Sequence, residues 1–354
     1  MIEDKSNKNI PEASPLVEVK RGSITESRHR GHIVAVDGDG QIVAHLGSPH
    51  NVTYLRSSSK PHQAMPLVAS GAADRFGFTE KEVAIACASH NGETIHTETV
   101  AQMLRKIGLD ASALKCGAHE PYSAEAAREL RERGLQPTAL HNNCSGKHTG
   151  MLALALHLGA PVESYDQPDN PVQLNIVRCI SQFSGVPVED IAVGIDGCGV
   201  PTFGATVRAM ALMYARLVAV PEDFDDETRR ACQRIVSAMT AYPEMIGGRA
   251  ERLDTVIMQA ARGGVVSKVG AEGVYTAAVL PCELWPRGLG LAIKIEDGED
   301  RRARPTVVIE TLRQLGVLKD DALEAVMQYA NLPILNRRGD VVGEVRASFE
   351  LTRD

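Results

Sequence analysis

Three short stretches place reactive side chains close together in the chain. "RSSSKP" puts Ser57 three residues before Lys60. On a helix such a pair shares one face, and a neutral lysine there can take the serine's proton. Pro61 is tolerated only in a first helical turn, so Ser57 falls at a helix start, where free backbone N–H groups could polarise a carbonyl. A chance S-x-x-K is common, and this pair alone proves nothing. "CASHNGE" sets Ser89 and His90 in a small-residue turn. "HNNCSGKHTG" (141–150) packs Cys144, Lys147 and two histidines into ten positions.

The last stretch resembles half of a phosphate-binding loop, but His141 stands where the first glycine belongs and His148 where the magnesium-binding hydroxyl belongs. A helix start is the simpler reading: Asn142, Asn143 and Ser145 are capping residues ahead of "MLALALHLG". "GIDGCGVPT" (194–202) places Cys198 in a tight loop, either as a buried structural thiol or as a nucleophile or soft-metal ligand. All eleven histidines lie at or before His157, so bases in the C-terminal half must be lysines. Lys268 in "VVSKVG" and Lys294 in "LAIKIEDG" sit inside strand-like runs, where a water-facing edge position is the ordinary alternative.

The elements that must carry these residues can be read from pattern. "GHIVAVDGDGQIVAHLG" (31–47) alternates about an Asp-Gly-Asp-Gly turn and predicts a hairpin. Thr79 to Glu82 forms a capping box, and Gly108 and Gly134 stop two helices. Further helices are expected over 147–158, 170–184, 204–218, 226–240, 250–262 and 303–316. A short strand is expected at "IAVGID", and others at 264–270, 273–280, 290–298 and 340–351. Strands at both chain ends around a helical centre imply an α+β fold. Its antiparallel sheet is built from about 15–50 and 264–351, with flanking helices and a helical region of about 57–262. Residues 1–14 read as a disordered tail, and 15–351 as one domain. The absence of regular βα alternation argues against Rossmann and barrel folds.

The 354 residues carry a net charge of −7 and a pI near 5.9, with 44% hydrophobic and 23% charged residues. That balance gives no basis for nucleic-acid or anionic-membrane binding. The most apolar long segment, "TFGATVRAMALMYARLVAV", is broken by Arg208 and Arg216 and reads as a buried helix rather than a membrane span. "MIEDKSNKNIPEASP" has no apolar h-region and does not read as a secretory signal, and seven scattered cysteines suggest a reducing cytoplasm with free or metal-bound thiols.

In order, "RSSSKP", "CASHNGE", "KCGAHEP", "NNCSGKHTGML", "DGCGVPT", "YPEMIGG", "SKVGAEGVY" and "IKIEDG" resemble the L-asparaginase II family, the Rhizobium etli type. The likeness runs from about Val17 to about Leu351. It implies a serine β-lactamase and glutaminase-like fold, a homodimer, and hydrolysis of L-asparagine to L-aspartate and ammonia. It also implies two Ser-Lys tandems, Ser57 with Lys60 and Ser89 with Lys268. A zinc site of Cys144, Lys147 and Cys198 completes the set. On that reading Ser57 attacks the amide, Lys60 is its base, and Ser89 with Lys268 protonates the departing ammonia. Asp196, His90 and Asn91 are expected to grip the substrate or order the site. Three alternatives stay open: a Ser-Lys amidase on another amide such as glutamine, a metal-bound hydroxide hydrolase, and a non-catalytic zinc-binding domain.

Overall fold

The computed structural model of the protein describes residues 12–249 and 252–353. The expected tail therefore lies mostly outside the described residues, and Ser14 already opens a strand. The strands are β1 (Ser14–Arg21), β2 (Ile24–Asp37), β3 (Ile42–Leu46), β4 (Val52–Tyr54), β5 (Ala192–Ile195), β6 (Pro201–Thr206), β7 (Val265–Val269), β8 (Val274–Val279), β9 (Leu289–Ile295), β10 (Leu332–Leu335), β11 (Val341–Ala347) and β12 (Thr352–Arg353). The helices are α1 (Lys60–Ala69), α2 (Ala72–Arg75), α3 (Glu80–Ala86), α4 (Thr94–Lys106), α5 (Ala124–Glu132), α6 (Ser145–Leu158), α7 (Pro171–Ser184), α8 (Val207–Val218), α9 (Asp226–Ala241), α10 (Pro243–Ile246), α11 (Leu253–Ala260), α12 (Ala303–Gln314) and α13 (Asp320–Met327).

The architecture is α+β, and the large antiparallel sheet draws its strands from both chain ends. Its order is β10-β11-β1-β2-β9-β8-β7, with β3 and β12 continuing beside β2. Strand β2 is long enough for two jobs. Residues 24–31 pair with β1, while residues 31–37 pair with β9 on one side and in part with β3 on the other. Strands β7 and β8 are buried at every position and β9 at all but one, which is why their sequences read as nearly continuous apolar runs. One face meets Met210, Ala211 and Tyr214 of α8. The opposite face meets Val307, Val308 and Leu312 of α12.

The strand expected at "IAVGID" forms as β5, and it does not stand alone in the helical centre of the chain. A second antiparallel sheet, β4-β6-β5, lies within it. Strand β6 was not foreseen because "TFGAT" was absorbed into an expected helix over 204–218. The helix starts only at Val207, where Thr206 caps it by accepting from the Ala209 N–H. This small sheet matters for chemistry. Strand β4 runs directly into the 3-10 turn Arg56–Ser59, and the β5–β6 hairpin loop holds Asp196 and Cys198.

Candidate active site

Ser57 sits in the turn Arg56–Ser59, and Lys60 opens α1 with Pro61 just behind it. The turn is shaped by Arg56, which takes a left-handed backbone (φ 52°) rarely adopted by a non-glycine residue. Its side chain donates to Asp196 Oδ1 at 2.8 Å. Asp196 is thereby committed to fixing the Ser57 turn, and it does not line the cleft described below. Of the two roles expected of Asp196, gripping the substrate or ordering the site, its bond to Arg56 supports the second.

Lys60 is completely buried and spends its donors on Ala88 O (2.6 Å), Ser89 Oγ (2.9 Å) and Asn143 O (3.3 Å). No carboxylate stands within ion-pair distance of it among the described residues. The hydrogen bonds link the tandem members that the resemblance implies in a different way. Lys60 is hydrogen-bonded to Ser89, 29 residues away, and the Ser57 hydroxyl has no hydrogen-bond partner among the described residues. Both serines line one cleft of about 700 Å³. Lys60, three positions after one serine and bonded to the other, joins them.

Lys268 is fully buried in the middle of β7, which excludes the water-facing alternative. Its ammonium faces Asp254 Oδ2 at 3.3 Å and donates to Val269 O at 3.0 Å, so its direct partner is Asp254 rather than Ser89. Asp254 also accepts from the Val269 N–H and from the Ser267 hydroxyl, each at 2.9 Å. Ser267 has one proton to give and gives it to Asp254, so the 2.9 Å contact with Tyr275 runs from the tyrosine O–H to Ser267. Burial pulls Lys268 down to about 8, helped by the charges of Lys60 and Arg252 and opposed by Asp254. Nothing in the sequence singled out Asp254, although a charged "RLD" opening an apolar helix was the available signal. Lys294, the other strand lysine, is partly buried on β9 and donates to Glu272 O and Ile295 O, away from the cleft.

The Ser89 loop is held from behind. Ser89 N–H donates to Ile246 O at 3.0 Å and Asn91 N–H to Gly247 O at 2.7 Å, which gives "YPEMIGG" its role. Gly248 must be glycine there. Its φ is +154°, and an added Cβ would lie 2.4 Å from Asn91 Nδ2 and Glu93 Oε1. His90 is fully buried and does not line the cleft. Its Nδ1 accepts from the Gly92 N–H, so Nε2 carries the proton and donates to Ser145 Oγ at 3.0 Å. Burial drives its pKa well below the usual histidine range, with nearby cations adding to the effect. Asn91 accepts from Arg252 Nη1 at 2.7 Å and also lies off the cleft. These bonds fit the site-ordering half of what was expected of His90 and Asn91. Arg252, which pattern reading missed, lines the cleft.

Cys144, Lys147 and Cys198 do come together. Lys147 Nζ is 3.1 Å from Cys198 Sγ, and the two thiols are hydrogen-bonded to each other. All three side chains are buried, and all seven cysteines are free. The Cys198 hydrogen bond pushes Cys144 well below the ordinary thiol range, and Cys198, the donor, is pushed up by the same bond. Lys147 is also raised. Burial, the largest single influence, would lower it, but Cys198, Cys144 and Asp196 together outweigh that. Among the described residues no three His, Cys, Asp or Glu side chains form a metal-binding group. The candidate set is instead two sulfurs and an amine, a soft donor set that fits zinc. His141 bonds to Thr138 and His148 Nδ1 to Tyr165, and among the described residues neither histidine forms a metal-binding group with the two sulfurs. Gly146 is a packing glycine: a Cβ there would meet Ile85 O at 2.3 Å, where α6 crosses α3.

Residues 17–347 match the sequence profile of the L-asparaginase II family. This chain belongs to that family. Membership makes the protein an amidohydrolase. No curated protein matches the chain. Among solved structures it is similar to a probable glutaminase from Bacillus subtilis complexed with 6-diazo-5-oxo-L-norleucine. The identity is 16% over 82% of this chain and 85% of that one, with a TM-score of 0.38. It is also similar to a Bacillus glutaminase studied in 4.3 M NaCl, at 15% identity over 82% and 92% of the two chains, with a TM-score of 0.36. Among the described residues of this asparaginase II member, no helix is long and apolar enough to cross a membrane.

The buried ion pair of this family member changes what a Lys268 substitution should do. Spacing alone suggests that Lys268→Met would cost activity and little stability. With Asp254 left charged in the core, Lys268→Met is expected to lose about 3–5 kcal/mol of stability by denaturant unfolding. In the intact protein kcat should fall as pH rises through about 8, because Lys268 then loses its charge beside Asp254 and near Lys60. The limb should be absent in Lys268→Arg, whose guanidinium stays charged. A flat wild-type profile between pH 7 and 9 would remove Lys268 from the mechanism.

Proposed function

We propose that the protein hydrolyses the side-chain amide of L-asparagine by double displacement, with Ser57 as nucleophile. The observation that carries this reading is the Ser57–Lys60–Ser89 arrangement on one cleft. Lys60 in its neutral amine form, which keeps two of its three donor contacts, accepts the Ser57 proton as Oγ attacks the carboxamide carbon, and N–H groups of the turn at the start of α1 steady the oxyanion. The proton then passes from Lys60 through the Ser89 hydroxyl to the departing nitrogen, which leaves as ammonia. Water cleaves the β-aspartyl ester by the same route in reverse. The long Ser57–Lys60 approach is no obstacle, since catalytic hydrogen bonds often tighten only around bound substrate. Lys268, held by Asp254, places a second cation beside this relay.

Cys144, Lys147 and Cys198 would hold a zinc ion, which would supply a fixed positive charge and a Lewis acid. Elemental analysis is expected to find about one zinc per chain, lost in Cys144→Ser and in Cys198→Ser. Affinity should fall as pH drops, because protons on Lys147 and the thiols compete with the ion. Zinc retained at full occupancy in both variants would remove the metal from these residues.

The reaction itself is tested by ammonia release from L-asparagine and L-glutamine by the purified protein. Higher kcat/KM on asparagine supports the proposal, and a preference for glutamine would replace it with the other amide. A cleft of about 700 Å³ leaves room for the longer side chain, so the comparison is a real one.

A further inference from the structure

The cleft beside the two serines carries an excess of positive charge. Arg252, Arg301 and Arg304 line it against a single lining carboxylate, Asp300. Asp300 is already the ion-pair partner of Arg304. Arg301 is exposed and free to sample water. Arg252 differs from both: it is partly buried, and no carboxylate lies within ion-pair distance of it among the described residues. It is nevertheless held in place. Nη1 donates to Asn91 Oδ1 at 2.7 Å and Nη2 to Ser89 O at 2.8 Å, while the Tyr122 ring lies 6.0 Å from Cζ. It also sits at the N-terminal end of α11, where the helix dipole adds to the positive potential. A fixed, partly desolvated guanidinium without an anion of its own is built to receive one, and a planar carboxylate matches its fork.

We propose that Arg252 anchors the α-carboxylate of the amino-acid substrate, so that the enzyme requires an asparagine whose α-carboxyl group is free. This deepens the asparaginase reading and rests on it for the identity of the substrate. The clamp explains why the anchor is tied to the nucleophilic end of the cleft. Through Ser89 O and Asn91, Arg252 is registered against the very loop that carries the Ser89 hydroxyl, so carboxylate and amide are located by one rigid unit.

The test compares L-asparagine with L-asparagine α-methyl ester, which keeps the side-chain amide and removes the anion. Wild-type kcat/KM should be about 100-fold higher on asparagine, the scale of a charge-assisted hydrogen-bond pair. Arg252→Met should bring that ratio close to one, the larger loss falling on asparagine and appearing mainly in KM, and Arg252→Lys should restore part of the preference. If Arg252 only props the Ser89 loop, both substrates will lose activity equally and the ratio will survive, which overturns the anchor. Binding is read separately by calorimetry on Ser57→Ala, with and without Arg252→Met. Tighter binding of asparagine than of its ester, lost with Arg252, supports the anchor whatever the turnover. Equal binding of the two, or none of either, overturns it. Absent ammonia release by the wild type alongside that binding preference would instead fault the hydrolase proposal.

Discussion

Ser57→Ala is expected to lower kcat on asparagine by roughly three orders of magnitude or more while leaving the fold intact. The two halves of this expectation have separate causes. The chemical half follows from the proposed covalent route: without Oγ at position 57 no ester forms there, and on this reading Ser89, held by Lys60 at 2.9 Å, carries the proton rather than attacking. The stability half follows from what Ser57 touches. Its hydroxyl has no hydrogen-bond partner among the described residues and faces the cleft, so its removal should cost no more than about 0.5 kcal/mol. Acid-quenched wild-type enzyme should carry a β-aspartyl adduct on the peptide containing Ser57, visible by mass spectrometry and missing in the variant. A variant with more than roughly a tenth of wild-type kcat would show that another group attacks. An adduct on Ser89 would reverse the two serines' roles, and no adduct anywhere would favour a metal-bound hydroxide.

Lys60→Met should have an effect nearly as large, but with a different signature. Loss of a general base usually costs about 10²–10⁴-fold in rate. Here the same nitrogen also feeds the Ser89 hydroxyl, so attack and ammonia departure should both slow. Methionine has the length to fill the buried space but cannot donate. Ala88 O and Asn143 O would then lose a buried partner, each at a cost of about 1–3 kcal/mol. A lower unfolding midpoint is therefore expected together with the loss of kcat. The chemical part is isolated by assaying well below that midpoint, with circular dichroism confirming the folded state. A Lys60→Met enzyme that keeps a tenth of its kcat while folded would leave Ser57 without the base assigned to it.

The same structure shows where pattern reading succeeds. The Asp-Gly-Asp-Gly hairpin, the Thr79–Glu82 capping box and the helix stops at Gly108 and Gly134 all form as expected. So do the three late strands and their pairing into a sheet with the N-terminal hairpin. Each of these depends on a signal within about a dozen residues, where turn chemistry, capping and hydrophobic period act directly. The strand β6 escaped because its small and aromatic residues run without a break into an apolar helix, and only its pairing with β4 and β5 distinguishes it.

Read by itself, the sequence offers the candidates for chemistry and the local elements that hold them: two serines, two lysines, and a pair of cysteines with a lysine between them in the chain. Which of them touch one another is a matter of packing. Lys60 bonds Ser89 across 29 residues, Lys268 is neutralised by Asp254, Asp196 is spent on Arg56, and Arg252 faces the cleft. The physical reason is the directionality and short range of these contacts. A hydrogen bond is made or lost within about half an ångström, and a buried charge must find its partner wherever packing allows. Spacing along a helix fixes such distances only for neighbours three or four residues apart. For every longer separation they are set by how α3, α6, α11 and β7 close around α1.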